Sequence, residues 1–564
     1  MKKQYDVVIL GGGLAGLTLA LQLKQNEPNI HIAILEMRKN LAPESAHKVG
    51  ESTVELGTYY LREVLGLGDY LDAYQLPKMG LRFYFSPQVK EEITQRVELG
   101  VKGALPVPSH QIDRGIFENE LTKRLLDMGV EVILGARIKE VNLDSNGHRV
   151  SFLKEGTVQA LDAKWVTDAT GRAGFLKRKM GFGKPLEHDI NAVWFRVKGE
   201  IDVDDWSDNK AWKDKVSPGL RRLGTIHFMG QGYWVWLIPL VSGNTSIGIV
   251  ADPKFHDFTA LNKLDKAMDW LASHEPLCAE MFKPYLDDVI DFRVLKHYSH
   301  HSERFYTTEK WGVVGEAGAF LDPFYSPGTD FIAIGNTWMA DLILRDYNGE
   351  DIASRSIIYE RVHTAFFNSW IPIYHNQYHL FGHTQVIMVK ILWDWGLYWA
   401  IPTLLFTNKG YINLAVLRNL FTTPNCLGMR LGKLNTQVQH FFKEWGEYDK
   451  GTYSNAYIDF FDIPFLKKLH SELESQHSTE DLIAQCETNL SVLEQIAAEI
   501  FRKMSALYKG TPNDMKVNPY KMSMSLSKEE LLKQATQKGA IDTDQSIIDD
   551  LELMWLKRDL FINT

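Results

Sequence analysis

Tyr5 to Leu10 is an unbroken apolar run that gives way to Gly11-Gly-Gly-Leu-Ala-Gly16 and then to Leu17-Thr-Leu-Ala-Leu-Gln-Leu23. That order predicts a strand, a tight turn and a helix. A second apolar run, His31 to Leu35, ends in Glu36, so the chain opens on a βαβ unit. Runs at Gly80–Ser86, Val130–Leu134, Arg149–Lys154 and Ala192–Val197 predict many strands between about residues 80 and 300, in a mixed sheet. Past about residue 340 the pattern turns helical and aromatic. Ser478 three residues before Asp481, and Ser527 three before Glu530, are helix-start signatures there. The expected fold class is α/β (α+β). A Rossmann-like dinucleotide-binding domain is built from residues 1–80, 110–180 and 300–345, a mixed β-sheet substrate domain from 81–109 and 181–299 is interleaved with it, and 346–564 forms a helical C-terminal lobe. The polar stretch Lys509 to Asn518 reads as a loose connection.

Composition narrows this picture. With 564 residues, 45% hydrophobic and 24% charged, the chain is long enough for about two to four domains or lobes and for burial of a large cofactor. A net charge of -9 without a basic run excludes a nucleic-acid partner. Cys278, Cys426 and Cys486 form no CxxC pair or disulfide framework and read as reduced thiols of a cytoplasmic protein; the first residues carry no export signal. The most apolar stretch, Val386 to Phe406, is interrupted by Lys390, Asp394 and Pro402, so it predicts a buried or interface-seeking helix, and membrane contact is not expected. Its Trp393, Trp395, Tyr398 and Trp399 suit a packed core first, and one wall of an apolar substrate cavity or a lipid surface second.

The glycine turn carries the first chemistry. Gly11, Gly13 and Gly16 follow a strand and open a helix with Leu14 and Ala15 in its first turn, and Glu36 closes the next strand 20 residues past Gly16. In that context the glycines let backbone approach a pyrophosphate, the helix N-terminus holds it and Glu36 accepts ribose hydroxyls. His375, His379 and His383 have a spacing that stacks on one helical face. Gly382 and the aromatic flanks favour local hydrogen bonding over a metal, and no metal is expected.

Further motifs bring in a resemblance. Gln111-Ile-Asp-Arg114 looks like the Asp-Arg element of flavoprotein monooxygenases, which implies FAD and gives Arg114 a cofactor contact. Trp311 to Pro323 is similar to their second FAD motif. Glu316 departs from its usual Gly-Asp-Ala, which leaves Gly315 and Asp322 as the expected flavin contacts. Trp234-Val-Trp236-Leu-Ile-Pro239 matches the Trp-x-Trp-x-Ile-Pro signature of flavin-dependent halogenases, in which this wall separates flavin from substrate. Lys78 stands where that family has its catalytic lysine, downstream of Val49-Gly-Glu51-Ser-Thr, which resembles a family segment near the flavin. Phe320 to Asp330 resembles the stretch Phe-x-x-Pro-x-x-Ser-x-Gly, implying a role for Ser326 and a halide site at Gly328 and Thr329, because Pro327 has no N–H. Tyr325 occupies the place where tryptophan halogenases carry a carboxylate. The match is therefore closer to the phenol and pyrrole branch, and the residue assisting Lys78 stays open.

The resemblance implies a halogenase that uses reduced FAD, oxygen and chloride or bromide to make hypohalous acid, delivered through Lys78 to an electron-rich phenol, pyrrole or indole, free or tethered to a carrier protein. Trp165-Val-Thr-Asp168-Ala-Thr-Gly171-Arg stands in place of the longer motif that engages NADPH in single-component hydroxylases, so a separate flavin reductase is the expected partner. The chain is expected as a monomer or homodimer. An FAD-dependent aromatic monooxygenase and a non-catalytic flavin-binding protein are the alternatives on the same fold.

Overall fold

In the computed structural model, which describes residues 4–43, 50–85, 90–449 and 456–556, the opening pattern forms β1 (Gln4–Leu10), α1 (Leu14–Asn26) and β2 (Ile32–Glu36). Val49 and Ser86 of the segments above lie outside the described residues. β1 lies between β2 and the long strand Thr157–Asp168, parallel to both. A strand covered on both faces needs apolar side chains on both, which is why Val7 to Leu10 are all buried and the run does not alternate. Glu131–Leu134, Trp311–Val313, His148–Lys154 and Arg137–Asn142 complete a seven-stranded sheet among the described residues. Leu10 is paired with Asp168, so the glycine turn and the loop Ala169–Ala173 leave the sheet side by side. Ligands bind at such a carboxyl edge of parallel strands.

The second sheet orders Val289–Leu295, Asn191–Lys198, Asn244–Ala251, Tyr233–Pro239, Thr225–Gly230, Leu81–Phe85, Val97–Leu99 and Tyr457–Ile458. Its faces belong to different cores. Along Tyr233–Pro239 the two-residue period turns Trp234, Trp236 and Ile238 into the core shared with β1, and Tyr233, Val235 and Leu237 into a separate cluster on the opposite face. A short hairpin-like pairing of Leu76–Lys78 with Ser109–Gln111 sets Lys78 opposite Ser109.

The short α2 (Glu55–Tyr59) packs on α3 (Gly328–Tyr347), whose face also covers α1. Beyond it come α4 (Ala353–Tyr374), α5 (Thr384–Tyr398), α6 (Leu427–Gly446) and α7 (Thr479–Lys509). Ser478 Oγ accepts the Asp481 N–H, and Ser527 with Glu530 forms a reciprocal capping box. Every residue of α5 is buried. Its interrupting charges neutralise each other, Lys390 Nζ lying 2.5 Å from Asp394 Oδ2 one turn on. Among the described residues no helix is long and apolar enough to cross a membrane.

Two local expectations are corrected. α4 ends at Tyr374, Tyr378–Gly382 is a tight turn and His383 caps α5, so the three histidines do not share a helical face. Asn376, at φ +54°, breaks the helix between the first two. The Lys509–Asn518 stretch is pinned rather than loose, because Val517 exchanges backbone hydrogen bonds with Ile541 and is buried with Met515.

Candidate active site

The glycine turn, the Ala169–Ala173 loop, Trp234, Trp236 and the first turn of α3 surround a cavity of about 490 Å³. Gly11 has φ +105°, and a Cβ on it would lie 2.4 Å from the Ala169 carbonyl oxygen; a Cβ on Gly16 would lie 2.1 Å from that of Gly11. Side chains at either position would push the turn off the sheet. Gly13 caps α1, so the helix start with Leu14 and Ala15 lines the cavity. Gly16 is not on the wall; it is the close contact that holds the turn in shape. Glu36 accepts the N–H groups of Gly12 and Arg38, each at 2.8 Å, and still faces the cavity. Arg114 lines it with a bond to Glu118 of 2.7 Å, and Glu51 with one from Arg196 at 2.7 Å. Burial pushes Glu51 up, against the Arg196 charge. Trp194 adds a donor that sequence reasoning missed: its Nε1 is buried and has no hydrogen-bond partner among the described residues, and the residue lines the cavity.

Three expected contacts fall elsewhere. Asp322 turns back into the core, because Oδ1 accepts the Phe324 N–H at 2.8 Å while Oδ2 lies 2.6 Å from His188 Nε2 and 2.8 Å from Tyr378 Oη. Tyr378 Oη in turn accepts from Trp234 Nε1 at 3.1 Å, so Asp322 supports that tryptophan through Tyr378 and does not line the larger cavity. Gly315 packs against Ala15, and Glu316, discounted for its unusual identity, is the residue on the cavity wall. Pro239 ends its strand opposite Thr245, away from the wall that Ile238 reaches.

A second cavity, about 30 Å³, holds Lys78. Trp370, Trp395, Trp399, Phe460 and Tyr325 form its apolar walls, and Glu55, Asp330 and Asp394 its acids. That volume is room for about two waters. Two chain segments divide the cavities: Glu51, Ser52, Ser326, Gly328 and Thr329 face the larger one, and Val54, Glu55, Pro327 and Asp330 the smaller. Ser326 Oγ donates to Ser52 Oγ at 3.0 Å across that divide. Trp234 and Trp236, expected as the separating wall, line the larger cavity instead.

Lys78 Nζ donates to the Thr53 carbonyl at 2.6 Å and makes no ion pair among the described residues. Burial lowers its pKa from the usual lysine range to about 7, with Glu55 and Asp330 opposing the shift. At the α3 start, Tyr325 and Ser326 are both left-handed, at φ +71° and +61°. That turn is held by Tyr325 Oη on Asp394 at 2.8 Å. It also aims the first N–H groups of α3, those of Gly328 and Thr329, where no helical carbonyl precedes them.

The lycopene cyclase protein family model matches residues 6–185, the part containing the glycine turn and Arg114. The "flavin-dependent halogenase chlA" of Dictyostelium discoideum is 28% identical over 470 residues, covering 76% of this chain and 74% of that protein. That alignment is too long for the cofactor-binding part alone. Over about three quarters of its length the chain is therefore similar to a flavin-dependent halogenase. A "1H-pyrrole-2-carbonyl-[peptidyl-carrier protein] chlorinase" of Pseudomonas fluorescens is 27% identical, covering 65% of this chain and 82% of the relative. The solved halogenase PltM, in complex with phloroglucinol and FAD, shares the fold, with a TM-score of 0.64, 17% identity and coverage of 86% of this chain and 96% of that one. The flavin-dependent brominase Bmp2 does so at a TM-score of 0.55 and 22% identity, over 69% of this chain and 92% of its own.

Proposed function

We propose that this protein is a flavin-dependent halogenase that transfers chlorine or bromine to an electron-rich aromatic ring held in the Lys78 cavity, apart from the flavin. The observation that carries the reading is Lys78 itself: a buried lysine that makes no ion pair among the described residues, in an aromatic-walled cavity of its own. Burying an ammonium without a counter-ion is unfavourable, so such a group marks a functional demand.

The larger cavity fits FAD. The glycine turn and α1 N-terminus suit the pyrophosphate, Glu36 the ribose hydroxyls, Arg114 and Glu51 the neighbourhood of the flavin, and the unpartnered Trp194 Nε1 offers a hydrogen bond. When bound, reduced FAD with oxygen and halide supplies hypohalous acid. Gly328 and Thr329 N–H groups at the positive end of α3 attract the halide, next to Ser326. Lys78 hydrogen-bonds the hypohalous acid or carries the halogen on its amine; a lysine with a pKa near 7 has both the ammonium and the free amine available. The aromatic walls exclude water and stack the substrate ring.

A separate reductase supplies reduced flavin. The substrate ring is a phenol, pyrrole or indole, and two relatives, named as a brominase and a chlorinase of 1H-pyrrole-2-carbonyl groups on a peptidyl-carrier protein, make a tethered substrate one of the two forms to test. At about 30 Å³ the Lys78 cavity must widen to admit a ring in either form. The test is product mass spectrometry with FAD, NADH, a flavin reductase, chloride or bromide, and a panel of free and carrier-bound phenols, pyrroles and indoles. A halogen isotope pattern that disappears in Lys78→Ala supports the reading. An added oxygen that survives Lys78→Ala would make the protein a hydroxylase.

A further inference from the structure

Three carboxyl groups share the cavity with Lys78, and their surroundings differ. Asp394 is fully engaged, by Lys390 and Tyr325 on Oδ2 and by Gln439 on Oδ1 at 2.7 Å. Glu55 Oε1 lies 3.5 Å from His470 Nε2; burial pushes Glu55 up, but the His470 hydrogen bond and charge outweigh it and the carboxyl is held below its ordinary value. Asp330 is the odd one. Its Oδ1 accepts the Gly57 N–H at 2.8 Å, while Oδ2 is buried and accepts no hydrogen bond among the described residues.

A carboxylate oxygen so placed is unfavourable when charged and becomes a donor when protonated. Burial, with the Glu55 charge added, pushes Asp330 up to about 8, in spite of the Tyr398 hydroxyl, the Gly57 N–H and the nearby Lys78. It does so although Asp330 is the third residue of α3, where a helix favours negative charge. The same helical turn thus offers N–H groups to the larger cavity and a proton-bearing carboxyl to the smaller.

Resting on the halogenase reading above, we propose that Asp330 is the acid–base group of halogen transfer. As the ring's π electrons form the carbon–halogen bond, the oxygen–halogen bond of the hypohalous acid at Lys78 breaks toward oxygen. The Asp330 proton goes to that oxygen, giving water. The Asp330 carboxylate then takes the proton from the halogenated ring carbon, whose C–H electron pair restores aromaticity. Hypohalous acid and arene become aryl halide and water, and Asp330 ends as it began. Glu55 stays anionic and keeps the proton on Asp330; Asp394 has no free oxygen for the task.

Asp330→Asn tests this, because the amide oxygen keeps the Gly57 contact while the exchangeable carboxyl proton is lost. The holoenzyme is assayed with FAD, flavin reductase, NADH and bromide on phenol, resorcinol and indole, each unlabelled and ring-deuterated. The variant is expected to bind FAD as wild type does and to brominate about 10²–10⁴ times more slowly. Its rate should acquire a primary isotope effect at the brominated carbon that wild type lacks. On the protein alone, at pH 7, the infrared difference between wild type and variant should contain the carbonyl band of one protonated carboxyl. Bromination within twofold of wild type, slowing without the isotope effect, or absence of that band would each overturn the role. No halogenated product from wild type with these probes or with the free and carrier-bound panel above, with either chloride or bromide, would overturn the halogenase reading, and the proposal with it.

Discussion

Replacing Lys78 by Met should make this protein more stable and inactive. The lysine is 3% exposed, and burial lowers its pKa from 10.5 to about 7. The folded state therefore binds the proton more weakly than the unfolded chain, so the penalty of the buried charge is fully present below pH 7 and is relieved as pH rises toward 10.5. A separation of that size amounts to about 5 kcal/mol at pH 6.5 and about 1 kcal/mol at pH 10. Met fills similar volume without charge but leaves the Thr53 carbonyl without its donor, a loss of about 1–3 kcal/mol. The variant should gain about 2–4 kcal/mol at pH 6.5, and the gain should vanish or reverse by pH 10. Thermal unfolding of both proteins at the two pH values measures this, alongside product assays. A Lys78→Met protein less stable than wild type at pH 6.5 would mean that the lysine serves the fold, and retained halogenation would remove it from the chemistry.

Two further changes probe the supports of the larger cavity. Gly248 lies opposite Trp236, and a Cβ there would sit 2.2 Å from the indole, so Gly248→Ala should displace the ring, shift the tryptophan fluorescence and destabilise by about 1–3 kcal/mol; an unchanged spectrum and melting temperature would refute that packing. Asp322→Asn should lose about 2–3 kcal/mol by weakening the His188 and Tyr378 bonds while leaving FAD affinity within about twofold. FAD titration decides this one, since a large loss of affinity would return Asp322 to the flavin.

Features whose cause is local were legible in the sequence. The glycine turn and Glu36 are close together in the chain, and a strand between two strands must be apolar throughout, so β1, α1 and β2 follow from consecutive residues. The two-residue period alone puts Trp234 and Trp236 on one face. The serine caps depend on four residues each. Which cavity that face borders was not legible, because it depends on how two separate segments, 51–55 and 326–330, come between it and Lys78.

The tertiary structure decided the electrostatics. Asp322 and Glu316 exchanged their expected places because His188 and Tyr378, far away in sequence, capture the aspartate. Glu55, Lys78, Asp330 and Tyr398 come from four distant stretches of chain, and nothing in their spacing brings them together. Residue type gives a lysine its ordinary pKa; only burial, which every surrounding segment contributes to, brings Lys78 down to about 7 and Asp330 up to about 8. The sequence determined which groups the chain carries and where the cofactor's backbone turn forms. Folding determined which of those groups lost water, and hence which can hold or release a proton at neutral pH.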